Sequence, residues 1–229
     1  FYGMPFSFLF LFILGYILYR LIIFRVVDKD MFISILATFG ISIVIQQFMN
    51  MAFGSQVETA LSGLGTIFFF EGNITIALVK VFSFVISILG AIAVIYFMKT
   101  SKLGRAIRAT AQNPRAARIL GVDTEKVYAY TYAINAGICG LAGSLVAMTY
   151  TLHPYIGLPY TVRSFMIVIV AGLGNIPGVL ASGLGLGAIE EFSAYALGSE
   201  YRIGFIFLLL VVILVYRSKK LAKRREYLK

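Results

Sequence analysis

The side chains able to do chemistry are few, and they do not gather into a catalytic set. The chain has one histidine and one cysteine. His153 stands beside Pro154 and reads as a loop residue. Cys139 lies inside an apolar stretch with no second thiol, so neither a disulfide nor a cysteine-based metal site can be built, and it reads as a small packing residue. No His-Glu-x-x-His arrangement is present, and Gly172-Leu173-Gly174 fails as a dinucleotide loop because its third glycine falls one residue late. What remains is a set of polar groups in apolar surroundings: Asn135, and the adjacent acids Glu190 and Glu191. In an apolar layer such groups must face a cavity or a partner. Their chemistry is recognition and solute passage rather than bond cleavage, and the chain is not expected to be an enzyme.

The elements that must position these groups are membrane helices. Hydrophobic residues make up 60% of the 229 and charged residues only 13%, well below the quarter typical of a soluble domain. The mean hydropathy is +0.91. Continuous apolar stretches of about 20 residues favour helices over the alternating strands of a β-barrel. The fold class is therefore all-α, a polytopic transmembrane helical bundle. Candidate spans are Phe6 to Phe24, Met31 to Met49, Ile76 to Met98, Val127 to Tyr150 and Arg202 to Tyr216.

A formal net charge of +10 would suggest nucleic acid in a soluble protein, but the bases follow the sides of a membrane. Arg25 to Asp30 holds two, Lys99 to Lys126 holds seven and Arg217 to Lys229 holds seven, whereas Asn50 to Thr75 has none. The positive-inside rule places 99–126 and 217–229 in the cytoplasm and 50–75, 151–164 and 197–200 outside. Arg20 and Lys80, near span ends, are expected to snorkel to the interface. The apolar region from Phe165 to Leu197 must then enter the membrane and return. Its first part, Phe165 to Asn175, is too short to cross, so the pattern predicts a short or re-entrant helix, a tight turn at Gly174 to Gly178, and a full helix from Pro177 to Leu197. Small residues four apart, at Gly174, Gly178 and Ser182, at Gly183 and Gly187, and at Ala136, Gly140 and Ser144, allow close helix approach.

The longest internal loop has an organisation of its own. Asn113 suits an N-cap, Pro114 the first helical position and Gly121 the position past the end, which predicts a two-turn helix from Pro114 to Leu120. Ala116, Ile119 and Leu120 form its apolar side, and Arg115 and Arg118 share another. Asp123 or Thr124 can cap the next span. So short a helix cannot stand alone and needs a surface to dock on; anionic lipid is one such surface for a basic loop.

Lys102-Leu103-Gly104-Arg105-Ala106-Ile107-Arg108-Ala109, then Ala111-Gln112-Asn113-Pro114-Arg115-Ala116-Ala117 and Leu120-Gly121-Val122, resembles the internal loop of branched-chain amino acid ABC importer permeases. His153-Pro154-Tyr155-Ile156-Gly157, Gly172 to Gly178 and Gly187-Ala188-Ile189-Glu190 are similar to the same family in the same order. The high-affinity leucine, isoleucine and valine type is the nearest group. The resemblance implies one permease domain over residues 1–229, without the further N-terminal spans usual in the family. It implies import of branched-chain amino acids across the bacterial or archaeal inner membrane, with urea, short amides or nucleosides as the alternative cargo and a secondary transporter as the alternative class. The implied partners are a second permease subunit, identical or not, two cytoplasmic ATPase subunits that use ATP and Mg, an external solute-binding protein and the lipid bilayer. No nucleic acid is expected, and no cofactor on this chain. Gly104, Arg105, Arg108, Asn113, Pro114, Arg115, Ala116, Ala117, Ile119, Leu120 and Gly121 would form the coupling segment. Asn135, Gly172, Gly174, Asn175, Gly178 and Glu190 would line or shape the pathway.

Overall fold

Uninterrupted apolar sequence gives long helices wherever the backbone must satisfy itself, and the computed structural model shows them. It describes residues 3–26, 31–54, 56–57, 65–69, 74–172, 174–198 and 201, together with helical residues 204–205, 207–209, 211–213 and 215. Among the described residues, four helices are long and apolar enough to cross a membrane: α1 (Gly3–Leu21, continuing through a 3-10 turn at Ile23–Arg25), α2 (Met31–Phe53), α3 (Leu78–Thr100) and α6 (Thr124–Thr149). Between α3 and α6 lie α4 (Lys102–Gln112) and α5 (Pro114–Ile119), and after α6 come α7 (Gly157–Ala171) and α8 (Ile176–Leu197). The chain is an all-α polytopic membrane protein. Of the expected span from Arg202 to Tyr216, residues 204–205, 207–209, 211–213 and 215 are described, and all of them are helical.

The expected and observed elements differ in four places. Ile76 and Ala77, placed at the head of a span, belong to a hairpin in which β1 (Thr66–Phe69) pairs antiparallel with β2 (Ile74–Ala77), Ile67 opposite Ile76. The β-branched run Ile74-Thr75-Ile76 favours a strand, and α3 starts one residue after it. Secondly, α4 occupies Lys102–Gln112, which was read as loop. Thirdly, the short helix begins at Gly157, not Phe165: Pro159 falls in its first turn, where a missing N–H costs nothing. At 15 residues it is still only about 22 Å long. Fourthly, Cys139 stands on the exposed side of α6 and is not packed.

The chain divides into two units, Phe1–Ile156 and Gly157–Lys229. In the first, α1 packs antiparallel along α6. Ser7 near the start of α1 donates to or accepts from Ser144 near the end of α6 at 2.6 Å, and donates to the Gly140 carbonyl at 3.1 Å. Tyr19 near the end of α1 meets Tyr132 with ring centroids 5.5 Å apart. Two crossings, α2 and α3, separate α1 from α6 in the chain and make an antiparallel arrangement necessary. The stripe Ala136, Gly140 and Ser144 is the surface that permits it. A Cβ on Gly140 would lie 2.6 Å from the backbone oxygen of Ser7, so only glycine lets the two backbones meet there. Tyr19, Ile23 and Ala129 form the buried cluster where α1 ends and α6 begins, with Ile41 of α2 packed against it. At the opposite end of α6, Ser83 of α3 reaches Thr149 at 3.5 Å.

In the second unit, α7 and α8 form an antiparallel hairpin. Arg163 pairs with Glu190, and further in Ile167 lies against Gly183. With 22 residues α8 is about 33 Å long, enough to cross a bilayer, but its glycines and two glutamates leave it outside the four most apolar helices.

Candidate functional site

The segment between α3 and α6 is built cap by cap. The Ser101 side chain accepts from the Gly104 N–H at 2.8 Å and starts α4 directly after α3 ends. Arg105 turns back and donates to the Thr100 carbonyl at 2.9 Å, satisfying one of the last acceptors of α3. Gly104 is buried against that helix end. A Cβ there would come 2.6 Å from the Met98 carbonyl oxygen, 2.7 Å from Met98 Cα and 2.8 Å from the Phe97 oxygen, all backbone atoms that cannot swing away. The motif glycine is thus a contact requirement between α4 and α3. Lys102, Arg105 and Arg108 of α4 are exposed.

Asn113 serves two helices. Its N–H closes α4 on the Ala109 carbonyl, and its Oδ1 accepts from the N–H groups of Arg115 and Ala116, each at 3.1 Å, to open α5 with Pro114 in the first turn. At the other end Val122 N–H bonds to the Ala117 carbonyl and Gly121 N–H to that of Arg118, a Schellman closure that places Gly121 at φ +83. Leu120 is the last cap, so α5 is one residue shorter than expected. Arg118 Nε donates to Thr124 Oγ1 at 2.6 Å and binds α5 to the start of α6. Asp123 caps α6 by accepting from Lys126 N–H at 3.1 Å, and the Lys126 ammonium lies 3.0 Å from its other oxygen. Hydrogen bonding from Lys126, side chain first and backbone second, holds the Asp123 carboxyl below its ordinary range.

These caps fix which side of α5 faces outward. Ala117 is buried at 2% exposure and is the residue that meets the protein. Ala116 is exposed, and Ile119 and Leu120 stand out at 86% and 82%. Two large aliphatic side chains project from a helix outside the spans, on the side that the pattern Ala116, Ile119, Leu120 marked as apolar.

The second group of expected site residues divides. Gly172, Gly174, Asn175 and Gly178 together make the turn from α7 to α8. Gly172 and Gly174 have φ +86 and +84, and Asn175 caps α8 by accepting from the Gly178 N–H at 3.1 Å. A Cβ on Gly178 would strike the Asn175 side chain inside 3.0 Å, so this glycine is demanded by its own cap and not by a neighbouring helix, as its spacing had suggested. Glu190 is paired: Arg163 Nη2 donates to its Oε1 at 2.6 Å, and the guanidinium carbon stands 5.6 Å from the centre of the Tyr160 ring. Asn135 belongs to the other unit, on an exposed side of α6. Arg163 is the residue that sequence reasoning missed, because it fell in a segment assigned to an external loop. The signal was present, since Arg163 is the lone lysine or arginine between Lys126 and Arg202 and an acid inside an apolar helix calls for a base.

Apolar spans, a capped and anchored segment between α3 and α6, and a hairpin carrying the Arg163–Glu190 ion pair define a multi-pass membrane protein. The particular family follows from comparison with known proteins. A family model described as the permease component of the branched-chain amino acid transport system matches residues 1–215, and the chain belongs to that family. The high-affinity branched-chain amino acid transport system permease protein LivH of Salmonella typhimurium is 31% identical over 202 residues, and LivH of Escherichia coli is 30% identical over 205. BraD of Pseudomonas aeruginosa, described in the same words, is 30% identical over 200. Each alignment covers 85% of this chain and 65% of the relative, so the chain spans just under two thirds of their length. No solved structure matches the chain.

Proposed function

We propose that the chain is the membrane-spanning permease subunit of an ABC importer that carries branched-chain amino acids inward across the inner membrane. Residues 1–229 act as one permease domain. It works with a second permease subunit, two cytoplasmic ATPase subunits that use ATP and Mg, and an external solute-binding protein. The relatives' names support the cargo. The observation that carries the division of labour is the outward pair Ile119 and Leu120 on α5, displayed by Asn113, Pro114, Arg115 and Gly121 and backed by Ala117. A helix of six residues has no stability of its own; here the caps and Arg118 hold it, and its apolar side is left for a partner. Gly104, Arg105 and Arg108 belong to the arm that carries it. The pathway group is Asn135, Glu190 and the turn Gly172, Gly174, Asn175 and Gly178.

Burying Ile119 and Leu120 in an ATPase groove is worth roughly 3 to 5 kcal/mol, which is most of a weak interface. The test is the double substitution Ile119→Asp and Leu120→Asp. The variant is expected in the membrane at normal abundance, without co-purifying ATPase and without substrate-stimulated ATP hydrolysis. Normal assembly and hydrolysis in that variant would overturn the docking role of α5.

A further inference from the structure

Arg163 and Glu190 form an ion pair inside a helical hairpin, and nothing in the packing of that hairpin asks for charge. Arg163 lies about 9 Å along α7 from its first residue and Glu190 about 10 Å from the end of α8, at one level of the antiparallel pair. The Glu190 side chain is 13% exposed and that of Arg163 35%. An apolar pair of similar volume would hold two such helices at least as well, because the attraction of a desolvated ion pair is largely cancelled by the loss of water. The charges therefore point to use.

We propose that this pair is the polar seat of the transported solute: the α-carboxylate of a zwitterionic amino acid bonds to Arg163 and its α-ammonium to Glu190. The inference rests on the importer reading and names the chemistry of its pathway. A zwitterion carries its two charges one carbon apart. Laid beside the pair in the opposite sense, it completes a ring of four alternating charges without forcing Arg163 and Glu190 to separate. Arg163 has donors for this, since only Nη2 is engaged and its other N–H groups donate to no described residue. The Tyr160 ring keeps the guanidinium in place. The empty and occupied seats are both neutral, so no unpaired charge is left in the apolar layer when the solute departs.

Room for an aliphatic side chain lies alongside. Gly183 and Gly187 precede Glu190 by seven and three residues and share its side of α8. A Cβ on Gly187 would meet nothing within 4 Å, and one on Gly183 would only touch Ile167, at 3.9 Å. A charged seat beside a bare apolar strip suits a solute with an ammonium, a carboxylate and a hydrocarbon side chain. An amine or a carboxylic acid alone would leave one member of the ring missing.

Two measurements on the complete transporter in proteoliposomes test this. The first is the charge exchange Arg163→Glu with Glu190→Arg, which keeps a pair but reverses its direction along the hairpin. Leucine uptake is expected to fall about tenfold or more while the subunits still co-purify, whereas return to wild-type uptake would show a structural staple and overturn the proposal. The second, which holds even if the exchanged protein fails to fold, places Gly187→Cys in a Cys139→Ser background and follows its reaction with a small thiol reagent. Leucine is expected to slow labelling several-fold more than 3-methylbutylamine or 4-methylpentanoate. Equal labelling with and without leucine, or equal protection by all three compounds, would overturn the seat. If the wild-type complex shows no ATP-dependent leucine uptake, the importer reading itself fails; if it transports and labelling ignores leucine, only the present inference fails.

Discussion

Gly104→Ala is the most economical probe of how the segment between α3 and α6 is held. The substitution adds one methyl group where ordinary contact begins near 3.4 Å and the Met98 carbonyl oxygen lies at 2.6 Å, so α4 must withdraw by about 0.8 Å. Helix propensity works the other way, since alanine is favoured over glycine inside a helix by up to about 1 kcal/mol. Overpacking against rigid backbone costs about 1 to 3 kcal/mol, and withdrawal stretches the Ser101 cap, worth about 1 kcal/mol. The balance is a net loss of roughly 1 to 3 kcal/mol in the docking of α4 on α3, enough to detach it in a large fraction of molecules if docking is marginal. Span helices are untouched, so membrane abundance should be normal. Uptake should fall about tenfold, and backbone amides of α4 should lose hydrogen-exchange protection while those of α3 keep theirs. Ser101→Ala, which removes the cap without adding bulk, should show a smaller change in the same direction. Gly104→Ala with wild-type uptake and unchanged α4 protection would refute the reasoning, because the close approach would then not constrain the segment.

Asn113→Ala removes the acceptor of two N–H groups and should cost about 1 kcal/mol in α5, lowering ATPase co-purification partly and not abolishing it as the Ile119 and Leu120 pair does. Gly140→Leu should separate α1 from α6, because the Ser7 backbone lies 2.6 Å from where the new Cβ would be; reduced membrane abundance and a lowered thermal midpoint would register it, and a wild-type midpoint would argue against the described interface.

Much of this architecture was legible in the chain. Helix α5 could be read because each of its signals is local: Asn113 caps, Pro114 sits where a missing N–H is harmless, and Gly121 takes the left-handed conformation that closes the helix. The long spans could be read because each is a continuous apolar stretch. What escaped depends on contacts that residue type and spacing do not name. The Ser101 cap of α4 follows α3 directly and is masked by it, and Gly104 near the start of α4 argues for a loop until its contact with Met98 is known. The hairpin is carried by two four-residue strands adjoining a span, and the apolar stretch absorbed the second. Arg163 was assigned to solvent because nothing near it in sequence names its partner, Glu190, 27 positions away. Gly178 was assigned to helix packing by spacing alone, whereas its constraint comes from Asn175 three residues earlier.

The double duty of Asn113 has a mechanical meaning. Because one residue ends α4 and begins α5, no slack joint separates them. On one side α4 is seated on the end of α3 through Gly104 and Arg105; on the other α5 is tied to the start of α6 through Arg118 and Thr124. A displacement applied at Ile119 and Leu120 therefore cannot be absorbed as local bending. It is delivered to two spans at once, and through the zipped length of α6 to α1 as a third, so that a short stroke at α5 arrives at the far ends of these spans as a movement of whole helices.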